Sequence, residues 1–234
     1  MKAEANPSLL FWWPLIKSLP IRQPKTAIVK VGSDVFCDFL DSRNTLAEFT
    51  GEFERAIQEI GYPLFLRTDI MSAKHSWVET CFVPDRPAFQ RNLFRLIDEN
   101  LAAFCDEPSA LVFREYIPMA TEFTAFGGGL PIGVERRYFV ADGEVLCHHP
   151  YWIEEAVEKG RPNDIRWREK LQKLNEETRE EIVILSGLAR QVARVLPGYW
   201  SVDFCLSASG EWVLIDCAPG ALSWHPDCAL KGGA

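Results

Sequence analysis

Charged side chains stand inside stretches of this chain that are otherwise apolar, and their types suggest chemistry. Arg114 and Glu115 follow Leu111-Val112-Phe113, and Glu122 opens the next apolar stretch. Arg136 and Arg137 sit inside a third. Asp203 lies within Ser-Val-Asp-Phe-Cys and Asp216 within Val-Leu-Ile-Asp-Cys. A charge in a buried strand is costly unless it is paired or liganded. One such residue reads as an internal salt bridge. Two aspartates on adjacent strands of a hairpin, with several arginines and a lysine elsewhere, point to a polyanion held with a divalent metal. Magnesium takes one or two carboxylates together with phosphate oxygens, and the arginine fork matches phosphate geometry. Salt bridges at strand ends are the competing reading of the same residues.

Other phosphate and nucleophile signatures are missing. There is no Gly-x-x-x-x-Gly-Lys-Ser/Thr loop, no Gly-x-Gly-x-x-Gly after a strand and no Gly-x-Ser-x-Gly elbow. The glycines at 127–129 could cradle a phosphate, but between two strands such a run reads first as a turn. Adjacent His148 and His149 would face opposite sides of a strand, so they read as packing or loop residues, with an acceptor-site role as the alternative.

The elements that must position these residues follow from periodicity. Residues 26–31, 63–67 and 110–117 read as strands. Residues 45–60, with Thr45 as cap and Gly61 as stop, and 86–104 carry apolar residues at helical spacing. Residues 122–126, 132–140 and 144–148 read as strands linked by glycine turns, 160–164 as a mobile loop and 176–196 as a long helix. A final hairpin pairs 200–206 with 211–217. The first 32 residues carry Pro14, Pro20 and Pro24, which predicts extended chain. Strands and helices mix without regular alternation, so the fold class is α+β.

Composition sets the outer bounds. With 47% hydrophobic and 25% charged residues the chain is ordinary globular protein. A net charge of −8 gives no reason for non-specific nucleic-acid binding or attachment to an anionic membrane. No apolar run is long enough to span a bilayer. Seven cysteines, an odd number without a Cys-x-x-Cys pair, read as reduced thiols in the cytoplasm.

Four segments, in order, resemble the ATP-grasp superfamily. They are Arg67-Thr-Asp-Ile-Met-Ser-Ala-Lys74-His-Ser-Trp77, Leu111-Val-Phe-Arg114-Glu115-Tyr-Ile-Pro118, Glu122-Phe-Thr-Ala-Phe126 with residues 132–140, and Ser201-Val-Asp203-Phe with Ile215-Asp216-Cys-Ala-Pro-Gly220. The likeness, over about residues 60–222, is to the clade known for two arginines and a lysine at the nucleotide. It is also to the branch that includes the assembly chaperone of eukaryotic translation initiation factor two. The resemblance implies an ATP-grasp fold of two α+β lobes with the nucleotide between them: residues 1–110, with the lysine segment, and residues 111–234, with the hinge and metal hairpin. It implies ATP and Mg2+ as ligands. Lys74, Arg114 and Arg136 or Arg137 would meet phosphates, with Lys74, Arg114 and Arg137 serving catalysis. Glu115, Tyr116 and Ile117 would line adenine, Glu122 would hold the ribose, and Asp203 and Asp216 would bind magnesium. The implied activity is ATP-dependent carboxylate–amine ligation onto an unnamed small-molecule, peptide or protein acceptor. The alternative is a non-catalytic ATP-bound chaperone or protein-binding module. Two positions depart from the family pattern: Ala218 stands where an Asn is usual, and Thr124 where an Arg is frequent.

Overall fold

The computed structural model describes residues 6–42, 48–103, 108–127 and 129–226. Two four-stranded antiparallel sheets face one another across a cleft, and a two-stranded ribbon closes one side.

The first sheet has the order β1-β4-β2-β3, with β1 Thr26–Lys30, β2 Leu64–Thr68, β3 Phe82–Val83 and β4 Ala110–Glu115. Helices α2 Ser33–Ser42, α3 Thr50–Ile60 and α4 Arg86–Ala103 cover one face. Alternation sorts the residues. Leu64, Leu66, Leu111 and Phe113 join Phe53, Leu93 and Leu96 in the helix-side core. Phe65, Arg67 and Arg114 are left on the cleft side. The sequence assigned no element to residues 33–42, where α2 forms. The start foreseen for α3 at Thr45 lies outside the described residues.

The second sheet has the order β10-β9-β7-β8, with β7 Glu135–Ala141, β8 Glu144–Pro150, β9 Tyr199–Leu206 and β10 Trp212–Pro219. Helix α7 Arg179–Ala193 packs on its outer face through Leu185, Ala189 and Val192. The ribbon is β5 Thr121–Ala125 with β6 Leu130–Gly133. It shares a core with α5 Glu154–Lys159 and α6 Trp167–Leu174, two helices that the sequence reading did not assign. The strand expected over residues 132–140 is two strands, because the chain changes sheet at Val134. Gly133 sits at this crossing, where an added Cβ would lie 2.9 Å from the Ala120 carbonyl oxygen.

The N-terminal stretch corrects an expectation. Residues Leu9–Ile16 form a helix, α1, despite Pro14. Ser8 caps it, accepting from the Leu10 N–H and donating to Asp69 at 2.7 Å. Leu9, Trp12 and Ile16 are buried against the second sheet's outer core. At about 2 kcal/mol each, their burial exceeds the ~3 kcal/mol cost of an internal proline. Among the described residues no helix is long and apolar enough to cross a membrane.

Candidate functional site

One row of the second sheet carries the charges. Arg137 on β7 pairs in register with Asp203 on β9, which pairs with Asp216 on β10. Strict alternation would not give this row. Leu214 opposes Phe204, and both face the outer core, so Ile215 should oppose Asp203 and Asp216 should turn into the apolar layer. A bulge at Ile215 shifts the register by one residue. Asp216 then shares a face with Asp203, while Cys217 returns to the core.

The row meets the first sheet across the cleft. Arg137 grips Asp203 with two bonds, Nε–Oδ1 at 2.8 Å and Nη2–Oδ2 at 2.7 Å. Arg67, buried on β2, reaches Asp216 Oδ1 at 2.9 Å. Arg114 donates to the Ile215 carbonyl and to Thr26 Oγ1. Among the described residues Arg114 has no carboxylate partner. Burial and the nearby Arg67 push it down to about 10, so it stays charged at neutral pH. Burial opposes the charge on Arg137, but Asp203 outweighs it and holds Arg137 above the usual arginine range.

Lys74 enters from a short 3-10 turn, Lys74–Ser76. Its Nζ lies 4.0 Å from the Tyr151 ring centre, 4.8 Å from that of Trp152 and 3.9 Å from Glu135 Oε2. Burial works against the ammonium, but Tyr151 and Glu135 raise Lys74 above the ordinary lysine range.

The cleft is also lined by aromatic and apolar residues, Phe65, Trp77, Tyr116, Ile117 and Leu130. Glu115 turns away to Arg22 Nη2 at 2.6 Å and to the Lys25 N–H. The backbone of Tyr116 and Ile117 has no backbone partner among the described residues, leaving an edge free to pair with a planar base. Cys205 also lines the cleft, but burial pushes its thiol up to about 12. It is neutral at physiological pH and no nucleophile.

Lys74, Arg114, Glu115, Tyr116, Ile117, Arg137, Asp203 and Asp216 therefore share one cleft. Two foreseen residues do not reach it. Arg136 pairs with Phe204 on the outer face of its sheet. There its guanidinium meets Glu181 at 2.5 Å and the Leu174 and Glu176 carbonyls under α7. Glu122 sits exposed on β5, where alternation turns Phe123 and Ala125 inward. Its carbonyl accepts from Lys170 instead. Thr124 is turned away from the cleft in the same manner. Arg67 and Glu135 also line the cleft and were given no role from sequence, though both carry the signal that flagged the others, a charge inside an apolar strand. Tyr151 lines it too, just beyond the His148-His149 pair.

The donor set suits magnesium sparingly. Two carboxylates face each other on neighbouring strands, and among the described residues no group of three His, Cys, Asp or Glu could hold a metal. Magnesium with two protein ligands takes the rest from phosphate and water.

Two facing sheets with an aromatic slot, a free backbone edge and opposed cations and carboxylates define the class: an ATP-grasp fold. Residues 56–232 match the family described as ATP-grasp domain, R2K clade family 3, and the chain belongs to that family. No curated protein matches. Among solved structures, C-terminally truncated Cdc123 from Schizosaccharomyces pombe is similar at 16% identity and TM-score 0.57, covering 91% of this chain and 82% of its own. A RimK domain ATP-grasp protein from Sphaerobacter thermophilus is similar at 15% identity and TM-score 0.46, with 91% of this chain covering 58% of that one. N5-carboxyaminoimidazole synthase from Aspergillus clavatus, in complex with ADP and 5-aminoimidazole ribonucleotide, is similar at 14% identity and TM-score 0.49, covering 91% of this chain and 43% of that one.

Proposed function

We propose that this chain binds ATP with magnesium and acts as an ATP-dependent ligase of carboxylate–amine type, with a small-molecule, peptide or protein acceptor. The observation that carries the reading is the Arg137–Asp203–Asp216 row facing Arg67, Lys74 and Arg114 across a cleft that ends in an aromatic slot. Tyr116 and Ile117 present backbone groups to adenine, and Trp77 and Leu130 pack its faces. Arg67, Lys74, Arg114 and Arg137 take phosphate oxygens, so the charge that develops in phosphoryl transfer meets fixed cations. Asp203 and Asp216 would hold magnesium, which would supply a divalent charge to offset the phosphates. No protein nucleophile is needed, in keeping with the neutral Cys205.

Each of these carboxylates is paired with an arginine, Asp203 with Arg137 and Asp216 with Arg67. Binding would exchange these pairs: Arg137 and Arg67 would turn to phosphate oxygens and free the two carboxylates for a divalent cation. Calorimetry with millimolar ATP and magnesium tests the reading. Heat of binding and a raised melting temperature are expected. The absence of both heat and shift would refute it.

A second reading is an ATP-bound protein-binding module with little turnover. Ala218 favours it. This residue lines the cleft two positions after Asp216, on the same face, with no side-chain oxygen to offer metal or phosphate. Phosphate release measured with and without candidate acceptors separates the two.

A further inference from the structure

The cation that the first sheet sends across the cleft is gripped by the second sheet. Lys74 Nζ is bounded on three sides by the Tyr151 ring, the Trp152 ring and the Glu135 carboxylate. Its remaining side opens to the cleft. Glu135 is 3% exposed and is fixed from behind: Trp152 Nε1 donates to its Oε1 at 2.8 Å, leaving Oε2 toward Lys74. The fixing is carried further back, because Asn175 Nδ2 donates to the Trp152 carbonyl at 2.8 Å and the Tyr151 N–H donates to the Glu135 carbonyl at 3.0 Å.

A buried carboxylate in a cleft read as a phosphate site needs an explanation, since it repels the ligand. Burial raises Glu135 above the usual glutamate range, with Lys74 and the Trp152 N–H opposing. Nothing in the phosphate-binding role requires an acid here, because Arg67, Arg114 and Arg137 already point into the cleft. The carboxylate does serve the lysine. A lysine on a short 3-10 turn, with 24% of its side chain exposed, has a flexible four-carbon stem. An anion on one side and two π-faces on the others restrict that stem to one position.

We infer that Glu135, with Trp152 as its anchor and Tyr151 as the facing wall, is the positioning apparatus of Lys74. It sets the ammonium where a phosphate oxygen meets it rather than touching the nucleotide itself. This rests on the nucleotide reading of the cleft. Its specific content is that position 135 acts on phosphate recognition only through position 74.

The test is a double-mutant cycle in the full chain, with binding of MgATP and of adenosine measured by calorimetry. Adenosine has no phosphates and reports the slot alone. E135Q is expected to weaken MgATP about tenfold, as for loss of a charged buried contact, and to leave adenosine within about twofold. In the K74M background E135Q is expected to change MgATP affinity by less than about twofold. W152F keeps a ring but removes the N–H; it should weaken MgATP in the parent and have no further effect on E135Q. An unchanged MgATP affinity in E135Q would overturn the inference. So would an equal loss for adenosine, or losses for E135Q and K74M that multiply. Should E135Q fail to fold, W152F in the parent and in K74M carries the same cycle. A parent that binds adenosine but not MgATP would overturn the nucleotide reading itself, an outcome distinct from the others.

Discussion

Arg137→Met offers a quantitative check on the charged row. Arg137 and Asp203 form a two-bond ion pair with 12% and 8% of their side chains exposed. Methionine keeps much of the arginine stem's volume and removes the charge. Asp203 is then left nearly buried with no direct cation. Breaking such a pair from one side costs about 3–5 kcal/mol. The lower end, about 3 kcal/mol, is expected here because Lys74 still attracts Asp203 through space. For a chain of this size each kcal/mol shifts the melting temperature by about 2–4 °C, so the variant should melt about 6–12 °C lower. Adding Asp203→Leu removes the stranded charge. Replacing both partners of a buried pair by apolar residues is often neutral, so the double variant should recover most of the loss. The assay is urea and thermal unfolding of parent, single and double variants without nucleotide. A single variant within about 1 kcal/mol of the parent, or a double variant no better than the single, would refute the account of the row as a buried, mutually dependent pair.

Four further outcomes are expected. Magnesium chloride alone should not shift the melting temperature, because both carboxylates are held by arginines; a shift matching that of MgATP would count against exchange. Asp216→Asn should weaken MgATP more than about tenfold with little loss of stability, since the Asp216 side chain is 35% exposed and Asn can still accept from Arg67; calorimetry beside urea unfolding decides it. Ala218→Asn should tighten magnesium dependence or raise basal phosphate release, and a parent already turning over without acceptor, with a variant no faster, would remove the support for the binding-module reading. Acid should destabilise the fold: burial, with Lys74 beside His75 and Arg137 near His149, holds both imidazoles below the usual histidine range. Their stability contribution is complete above the unfolded value near 6.5 and is lost as pH falls through the lower folded values, so urea midpoints at pH 7.5 and 5.5 should differ less in a His75→Gln/His149→Gln variant.

The charged residues were legible because buried strands tolerate charges only with partners, and Arg114, Arg137, Asp203 and Asp216 all stood in apolar strands. The side each one faces was less legible. Neighbours on a strand face opposite sides, but only the pairing with Phe204 and Asp203 assigns the cleft to Arg137 rather than Arg136. Glu122 failed for the same reason, since the inward phase of β5 is set by Phe123 and Ala125. Helix α1 was hidden by Pro14, whose local cost is overridden by tertiary burial of Trp12. Helices α5 and α6 are short, and their apolar residues share one core with the ribbon. Arg67 and Glu135 needed only the same rule applied once more.

The bulge that turns Asp216 also leaves the Ile215 carbonyl outside the strand ladder, and Arg114 of the opposite sheet takes it. At this point the two sheets are joined by two guanidiniums, Arg114 on the Ile215 carbonyl and Arg67 on Asp216, rather than by a shared run of main-chain bonds. Such a joint is undone and remade by rotating two side chains, with every ladder hydrogen bond on either side left intact. An anion that drew both arginines to itself would loosen the seam between the sheets, so occupancy of the cleft would be coupled to the stiffness of its walls.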